Sequence, residues 1–181
     1  RLSLTQPMST PDPTYTAVTV GDFFARHSAS LQVTHQDDSG RGLERLIREP
    51  TVNRPGLALS GFYSYFAEKR IQVLGSAELS YLRSLEPEMA LGRCAQLCER
   101  PIPCLVVARG SQVPDCLSEA AGAAGVAIFR SKLVTMNFIN AATLALAHDF
   151  APNKSEYGSM VDILGVGTLV RGSSGIGKSE C

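Results

Sequence analysis

The chain has 181 residues, 44% of them hydrophobic and 19% charged, which is the composition of a globular protein with one large domain or two small ones. Seventeen basic and seventeen acidic residues cancel, and no basic run is present that would follow a phosphate backbone, which argues against a nucleic-acid partner. No apolar stretch reaches the roughly 20 residues of a membrane span, and the first residues lack the apolar core of a signal peptide, so we predict a cytoplasmic protein with no membrane partner.

Strand and helix patterns alternate along most of the chain. Residues 1–15 are rich in Ser, Thr and Pro, and we expect them to form a flexible leader. β-branched residues predict a strand at 15–20, and Thr19 or Asp22 can cap the helix that follows. Further strands are predicted at 30–36, 44–49, 70–75, 104–108 and 126–131. Further helices are predicted at 76–85, with Ser76 as its cap, and at 88–100, 114–125 and 133–150.

This alternation predicts an α/β fold of layers around a mainly parallel sheet. The apolar run "CLVVARG" from Cys104 is typical of a central parallel strand that leads into a loop. The stretch "APNKSEYG" carries Pro, Asn and Gly, so we place a domain boundary there, with one domain at 16–150 and the start of another at 151–181. The second part opens with two strands, and Gly165 and Gly167 favour a tight hairpin between them.

Two cysteines and two arginines each allow a structural and a functional interpretation. Cys94 and Cys98 are one helical turn apart and can form a metal or redox pair, but reduced, half-buried cysteines on an amphipathic helix are the favoured interpretation. The five cysteines and three scattered histidines indicate neither a zinc site nor a disulfide framework. Arg54 and Arg109 follow predicted strands and can hold an anion, although solvated or paired arginines are more common.

The last residues carry a phosphate-binding motif, G-x-x-x-x-G-K-[ST], directly after a predicted strand. Its glycines allow the backbone N–H groups to turn toward phosphate oxygens, Lys178 is expected to reach the β and γ phosphates, and the Ser179 hydroxyl to bind Mg²⁺. The predicted nucleotide site comprises Gly172, Ser173, Ser174, Gly175, Ile176, Gly177, Lys178 and Ser179. The alternative is a chance Gly/Ser-rich turn, which the preceding strand disfavours.

Three segments and their order resemble the bacterial HPr kinase/phosphorylase family: "NRPGLALSGFYSYFAEKRIQVLGSAELSYL", "VARG" and "GVGTLVRGSSGIGKSE". The resemblance runs from about Val18 to Cys181. It implies an N-terminal α/β domain similar in fold to a substrate-binding domain of the Mur ligases. It also implies that 151–181 open a kinase domain similar to phosphoenolpyruvate carboxykinase.

The resemblance also implies an activity. Members of the family use ATP and Mg²⁺ to phosphorylate a serine of the sugar-transport phosphocarrier HPr, or reverse the reaction with pyrophosphate, and so regulate carbon metabolism. Lys178 would be the catalytic lysine and Ser179 the Mg²⁺ ligand. The family's general base and its HPr-docking surface follow the phosphate loop, so we expect the 181 residues alone to be inactive. The family's hexamers imply a homo-oligomer.

Two positions depart from the family pattern. Tyr157 occupies the place of an active-site histidine, and tyrosine does not become a cation and loses its proton only near pH 10. Ser173 stands where the family commonly has Asp. These departures motivate a second hypothesis, a regulatory or interaction module that retains the fold without catalysis. A third is an unrelated P-loop NTPase, for which a Walker-B Asp beyond the loop would be the sign.

Overall fold

Short strands and helices alternate along the first 151 residues. A computed structural model describes residues 17–37 and 39–151, together with the backbone of 158–163 and 166–171, and the predicted leader at 1–15 lies outside this part. The strands of the first 151 residues are β1 (Val18–Thr19), β2 (Val33–His35), β3 (Leu46–Ile47), β4 (Val52–Asn53), β5 (Ile71–Leu74), β6 (Cys104–Val107) and β7 (Ala127–Ser131). The helices are α1 (Val20–Leu31), α2 (Gly56–Leu59), α3 (Ser76–Ser84), α4 (Pro87–Cys98), α5 (Asp115–Ala124) and α6 (Thr135–Asp149).

Five of these strands form one sheet in the order β2-β7-β6-β5-β4. β4, β5, β6 and β7 are parallel, and β2 is antiparallel to β7 at the edge. β6 is central and all four of its residues are buried, as the apolar run predicted. The α/β class is therefore confirmed, and the sheet is mainly parallel, as predicted, with one antiparallel edge strand.

Helices cover both faces of the sheet. Alternate residues of β6 belong to two different apolar cores, Cys104 and Val106 to one and Leu105 and Val107 to the other, because successive side chains of a strand point to opposite faces. The first core is completed by α1 and α6, and the second by α3, α4 and α5.

Two predicted helix starts require correction. The predicted strand at 15–20 ends at Thr19 and a helix begins at Val20, because the Thr19 hydroxyl accepts a hydrogen bond from the Asp22 N–H at 3.1 Å. Thr19 is therefore the cap, one of the two predicted candidates. The cap of α3 is Gly75 and not Ser76, since the Glu78 carboxylate accepts the Gly75 N–H at 2.9 Å.

The chain divides into two compact units, Arg1–Ala151 and Pro152–Cys181. In the second unit, β8 (Gly158–Ile163) and β9 (Val166–Arg171) pair as an antiparallel hairpin, which confirms the two predicted strands. Gly167 lies inside β9, opposite Asp162, so the second strand begins before Gly167, at Val166. Within the part of the chain that the structure describes, no helix combines the length and apolar character needed to cross a membrane.

Candidate functional site

The predicted nucleotide site lies outside the described residues, as does Tyr157. None of residues 172–181, which include Lys178 and Ser179, is among those that the structure describes. The backbone strand β9 does end at Arg171, directly before Gly172, so the strand on which the phosphate-loop interpretation depends is observed.

Within the described residues, the candidate site is the carboxyl edge of the parallel strands, where open α/β sheets bind their ligands. We define this carboxyl edge by the residues that follow the four parallel strands. They are Arg54 after β4, Gly75 after β5, 108–110 after β6 and 132–134 after β7. Both arginines singled out in the sequence therefore lie along one edge of the sheet.

Arg54 forms an ion pair with Glu78. Its Nε donates to Glu78 Oε1 at 3.1 Å and its Nη2 donates to Oε2 at 2.9 Å, in the two-pronged geometry that suits guanidinium and carboxylate. The Glu78 side chain is only 5% exposed, whereas that of Arg54 is 44% exposed. The favoured prediction, a structurally paired arginine, is confirmed for Arg54.

The surroundings of Glu78 stabilise its charged form. Burial alone would raise the pKa of the Glu78 carboxyl, but hydrogen bonds from Arg54 and from the Gly75 N–H outweigh burial and lower the pKa. The hydrogen bond to Glu78 in turn raises the pKa of the Arg54 guanidinium. Glu78 thus joins the loop after β4 to the start of α3.

The same corner of the carboxyl edge is closely packed. A Cβ atom placed on Gly75 would lie 2.7 Å from Thr135 Oγ1, at the start of α6, and one on Gly56 would lie 3.5 Å from Glu78 Oε1. The gap between Gly75 and Thr135 is therefore too small for a methyl group. We assign this corner a structural role.

The loop after β6 is also held by its neighbour. Arg109 and Gly110 adopt left-handed backbones, with φ of 65° and 63°. The Arg109 N–H donates to Leu133 O at 2.8 Å, the Gly110 N–H to Ser131 O at 2.7 Å, and Arg130 Nη2 to Gly110 O at 2.8 Å. These N–H groups are occupied, so the loop is not a backbone anion nest. The Arg109 side chain is exposed and makes no ion pair with any described residue.

The described titratable residues of the first unit make ion pairs and packing contacts. Among the described residues, no three His, Cys, Asp or Glu side chains are grouped to hold a metal. His27 Nε2 lies 3.1 Å from Asp149 Oδ2, and Arg26 also pairs with Asp149, so these residues fasten α1 to the end of α6. His35 lies against the Phe129 ring.

The cysteines of α4 are unpaired thiols and are buried more completely than predicted, with Cys94 0% and Cys98 1% exposed. Cys94 has a sulfur neighbour on another helix, since its Sγ lies 3.8 Å from Cys116 Sγ. The sequence analysis missed this contact, and it also missed the pairing of Arg54 with Glu78. Neither contact has a local sequence signal, because each joins residues that are more than 20 positions apart in the chain.

Most of the first unit matches a known protein family. Residues 18–146 match the family model described as the HPr Serine kinase N terminus. The chain belongs to this family. The predicted resemblance is thereby confirmed for the first unit, whose sheet and both helical layers lie within the matched residues or end just beyond them.

Curated relatives named HPr kinase/phosphorylase match the same region. One from Clostridium perfringens (strain SM101 / Type A) is 44% identical over 134 residues, which are 74% of this chain and 44% of the relative. Another from Brevibacillus brevis is 42% identical over 139 residues, covering 77% and 45%. A third from Listeria monocytogenes serotype 4a is 43% identical over 142 residues, covering 78% and 46%. The matched part thus spans somewhat less than half of each relative.

One solved structure shares the fold. It contains the CBS and DRTGG domains of the regulatory region of a Clostridium perfringens pyrophosphatase, complexed with its activator, diadenosine tetraphosphate. The likeness covers 81% of this chain and 56% of that chain, with a TM-score of 0.52 and 14% sequence identity. At this identity the comparison concerns the fold alone.

The Glu78 carboxylate gives a testable dependence of stability on pH. We expect Glu78→Gln to lower the free energy of unfolding by about 1–2 kcal/mol at pH 7, because a hydrogen-bonded charge is lost from a partly solvated pair. Since the folded pKa is below the unfolded one, this stabilisation is present above the unfolded pKa and is lost as pH falls through the folded pKa. Urea unfolding from neutral pH to about pH 3 checks the result.

The matched control is Glu119→Gln, which removes an exposed carboxylate from α5. The control is expected to stay within about 0.5 kcal/mol of the parent protein at every pH. A difference between Glu78→Gln and the parent that stays constant down to the lowest pH would contradict a role for the charge.

Proposed function

We propose that this chain is the N-terminal part of a bifunctional serine kinase/phosphorylase that acts on the phosphocarrier HPr. The observation that carries the proposal is the 42–44% identity to HPr kinase/phosphorylases of three bacteria over most of the first unit. Identity at this level, over an entire α/β layer structure, is far beyond what a shared fold alone requires.

The phosphate-loop motif supplies the chemical part of the proposal. MgATP binds with its phosphates on the loop that follows β9, Lys178 placing a positive charge near the β and γ phosphates and Ser179 binding Mg²⁺. The HPr serine attacks the γ-phosphate in line, and the loop N–H groups and Lys178 stabilise the charge on the transferred group. In the reverse direction an oxygen of inorganic phosphate attacks the phosphoserine phosphorus, the serine oxygen leaves and takes up a proton, and pyrophosphate is formed. The second unit is then the opening of a kinase domain like that of phosphoenolpyruvate carboxykinase.

The first unit has a supporting role in this proposal. Among its described residues, the carboxyl edge is occupied by the Arg54–Glu78 pair and by satisfied backbone groups, and no metal-binding cluster is found. The general base that accepts the serine proton is therefore assigned to residues outside this unit. The likeness to a Mur ligase substrate-binding domain, a homo-oligomeric assembly and a cytoplasmic location belong to the same proposal.

A regulatory or interaction module is the second candidate, because Tyr157 and Ser173 replace the family's histidine and aspartate. Tyrosine cannot supply a cationic acid near neutral pH. If a near-neutral proton carrier is needed mainly in the reverse direction, the kinase reaction survives and the phosphorylase reaction is impaired. Both directions must therefore be measured.

The test is the conversion of ATP to ADP by the natural protein that contains this chain, with and without HPr. We expect ADP formation that depends on HPr and on Mg²⁺, and Tyr157→His to accelerate the pyrophosphate-forming reverse reaction more than the forward one. A folded protein that forms no ADP in the presence of HPr would favour the module. ADP formation at an equal rate without HPr would favour a different P-loop NTPase.

A further inference from the structure

Two thiols on neighbouring helices lie within reach of each other. Cys94 Sγ in α4 and Cys116 Sγ in α5 are 3.8 Å apart, and both helices pack on the same apolar core. A disulfide needs about 2.05 Å between sulfurs, so closure requires a shift of about 2 Å that side-chain rotation and small helix movements can supply. From this contact we propose that Cys94 and Cys116 are a peroxide-reactive pair that closes into a disulfide linking α4 to α5.

The two thiols have unequal access to solvent. Cys94 is 0% exposed, whereas Cys116 is partly exposed near the start of α5. A solute such as hydrogen peroxide therefore reaches Cys116 first. Burial, and next to it the neighbouring Cys116, raise the pKa of the Cys94 thiol, which makes Cys94 the less reactive of the two toward peroxide. Cys116 is the attacking sulfur and Cys94 the resolving one.

The chemistry balances with one peroxide. The Cys116 sulfur attacks one peroxide oxygen, the O–O bond breaks, and a sulfenic acid and one water are formed. The Cys94 sulfur then attacks the sulfenic sulfur, the S–O bond breaks, and hydroxide leaves as water with the Cys94 proton. Two thiols are oxidised by two electrons, one peroxide is reduced to two waters, and a thiol reductant reverses the bond.

Cys98, the partner that sequence spacing offered for Cys94, is the less suitable one. It lies one turn along the same helix, and no hydrogen bond between its sulfur and another is found within the described residues. A bond within α4 would also constrain nothing outside that helix. A bond from Cys94 to Cys116 closes a loop between residues 22 apart and joins two elements that cover one face of the sheet.

The experiment treats the 181-residue chain with hydrogen peroxide, blocks the remaining thiols in denaturant, and maps the products by mass spectrometry. We expect a peptide containing Cys94 joined to one containing Cys116, lighter by two hydrogen atoms and separated again by dithiothreitol. Thermal unfolding should shift upward by about 5–10 °C on oxidation, because the bond restricts the unfolded chain.

Three variants make the assignment specific, since Cys94, Cys98 and Cys104 fall in one tryptic peptide that runs from Cys94 to Arg109. Cys98→Ala should keep the cross-link, and Cys94→Ser should lose it. Cys116→Ser, at a partly exposed position, should also lose it, and this variant keeps the test informative if Cys94→Ser does not fold. Cross-linking that persists in Cys116→Ser, or a Cys116 that proceeds to sulfinic acid while Cys94 stays free, would overturn the proposal.

Discussion

Lys178→Ala is expected to lower kcat/KM for HPr phosphorylation by at least about 10²-fold in the natural protein that contains this chain. In the proposed function, Lys178 places a positive charge near the β and γ phosphates, where negative charge is redistributed as the phosphoryl group moves. Alanine leaves the loop backbone in place and removes only that charge. A phosphoserine assay on HPr with saturating MgATP measures the loss.

The matched control is Lys69→Ala, which removes an exposed lysine two residues before β5. Its kcat/KM should remain within about twofold of the parent value, because a single exposed charge contributes little. If Lys178→Ala retains near-parent kcat/KM, the motif is a chance Gly/Ser-rich turn and not a nucleotide site.

Gly42→Ala is expected to destabilise the first unit by about 3 kcal/mol or more. Gly42 has φ of +77°, and a Cβ atom there would lie 2.6 Å from the Ala127 backbone N and 2.8 Å from the Gly125 carbonyl O. Both obstacles are backbone atoms at the entry to β7, so they cannot move aside without disturbing the pairing of β7 with β6. Urea denaturation followed by circular dichroism measures the change.

Gly40→Ala separates the two causes of that loss. Gly40 also has a left-handed backbone, with φ of +69°, but a Cβ atom there meets nothing within 4 Å. Its replacement should therefore cost only the left-handed strain, about 1 kcal/mol. Equal losses for the two variants would mean that the contact with β7 is absent.

Local signals predicted much of this fold. The apolar run at Cys104 identified the central strand, and Thr19 was one of two candidate caps for α1. The strand predicted at 15–20 was cut short because burial of Phe23 and Phe24 favours a helix from Val20, which outweighs the β-branched residues. Gly75 was missed as a cap because glycine has no side chain to signal the role.

Features set by tertiary structure could not be predicted in this way. The antiparallel direction of β2 depends on how α1 packs, and the 3.8 Å contact of Cys94 with Cys116 depends on the packing of α4 against α5. The nucleotide site, in contrast, was predicted from a local sequence pattern. Its eight-residue motif is local, so the sequence carries the interpretation of Lys178 and Ser179, and only the strand before them is described by the structure.

The most direct measurement is the mass of HPr after incubation with MgATP and the natural protein that contains this chain, followed by localisation of any modified residue. The proposed function predicts HPr heavier by one phosphoryl group, carried on a serine, and no such product when Mg²⁺ is removed. HPr of unchanged mass, with a protein that is folded and binds ATP, would contradict the proposed kinase activity.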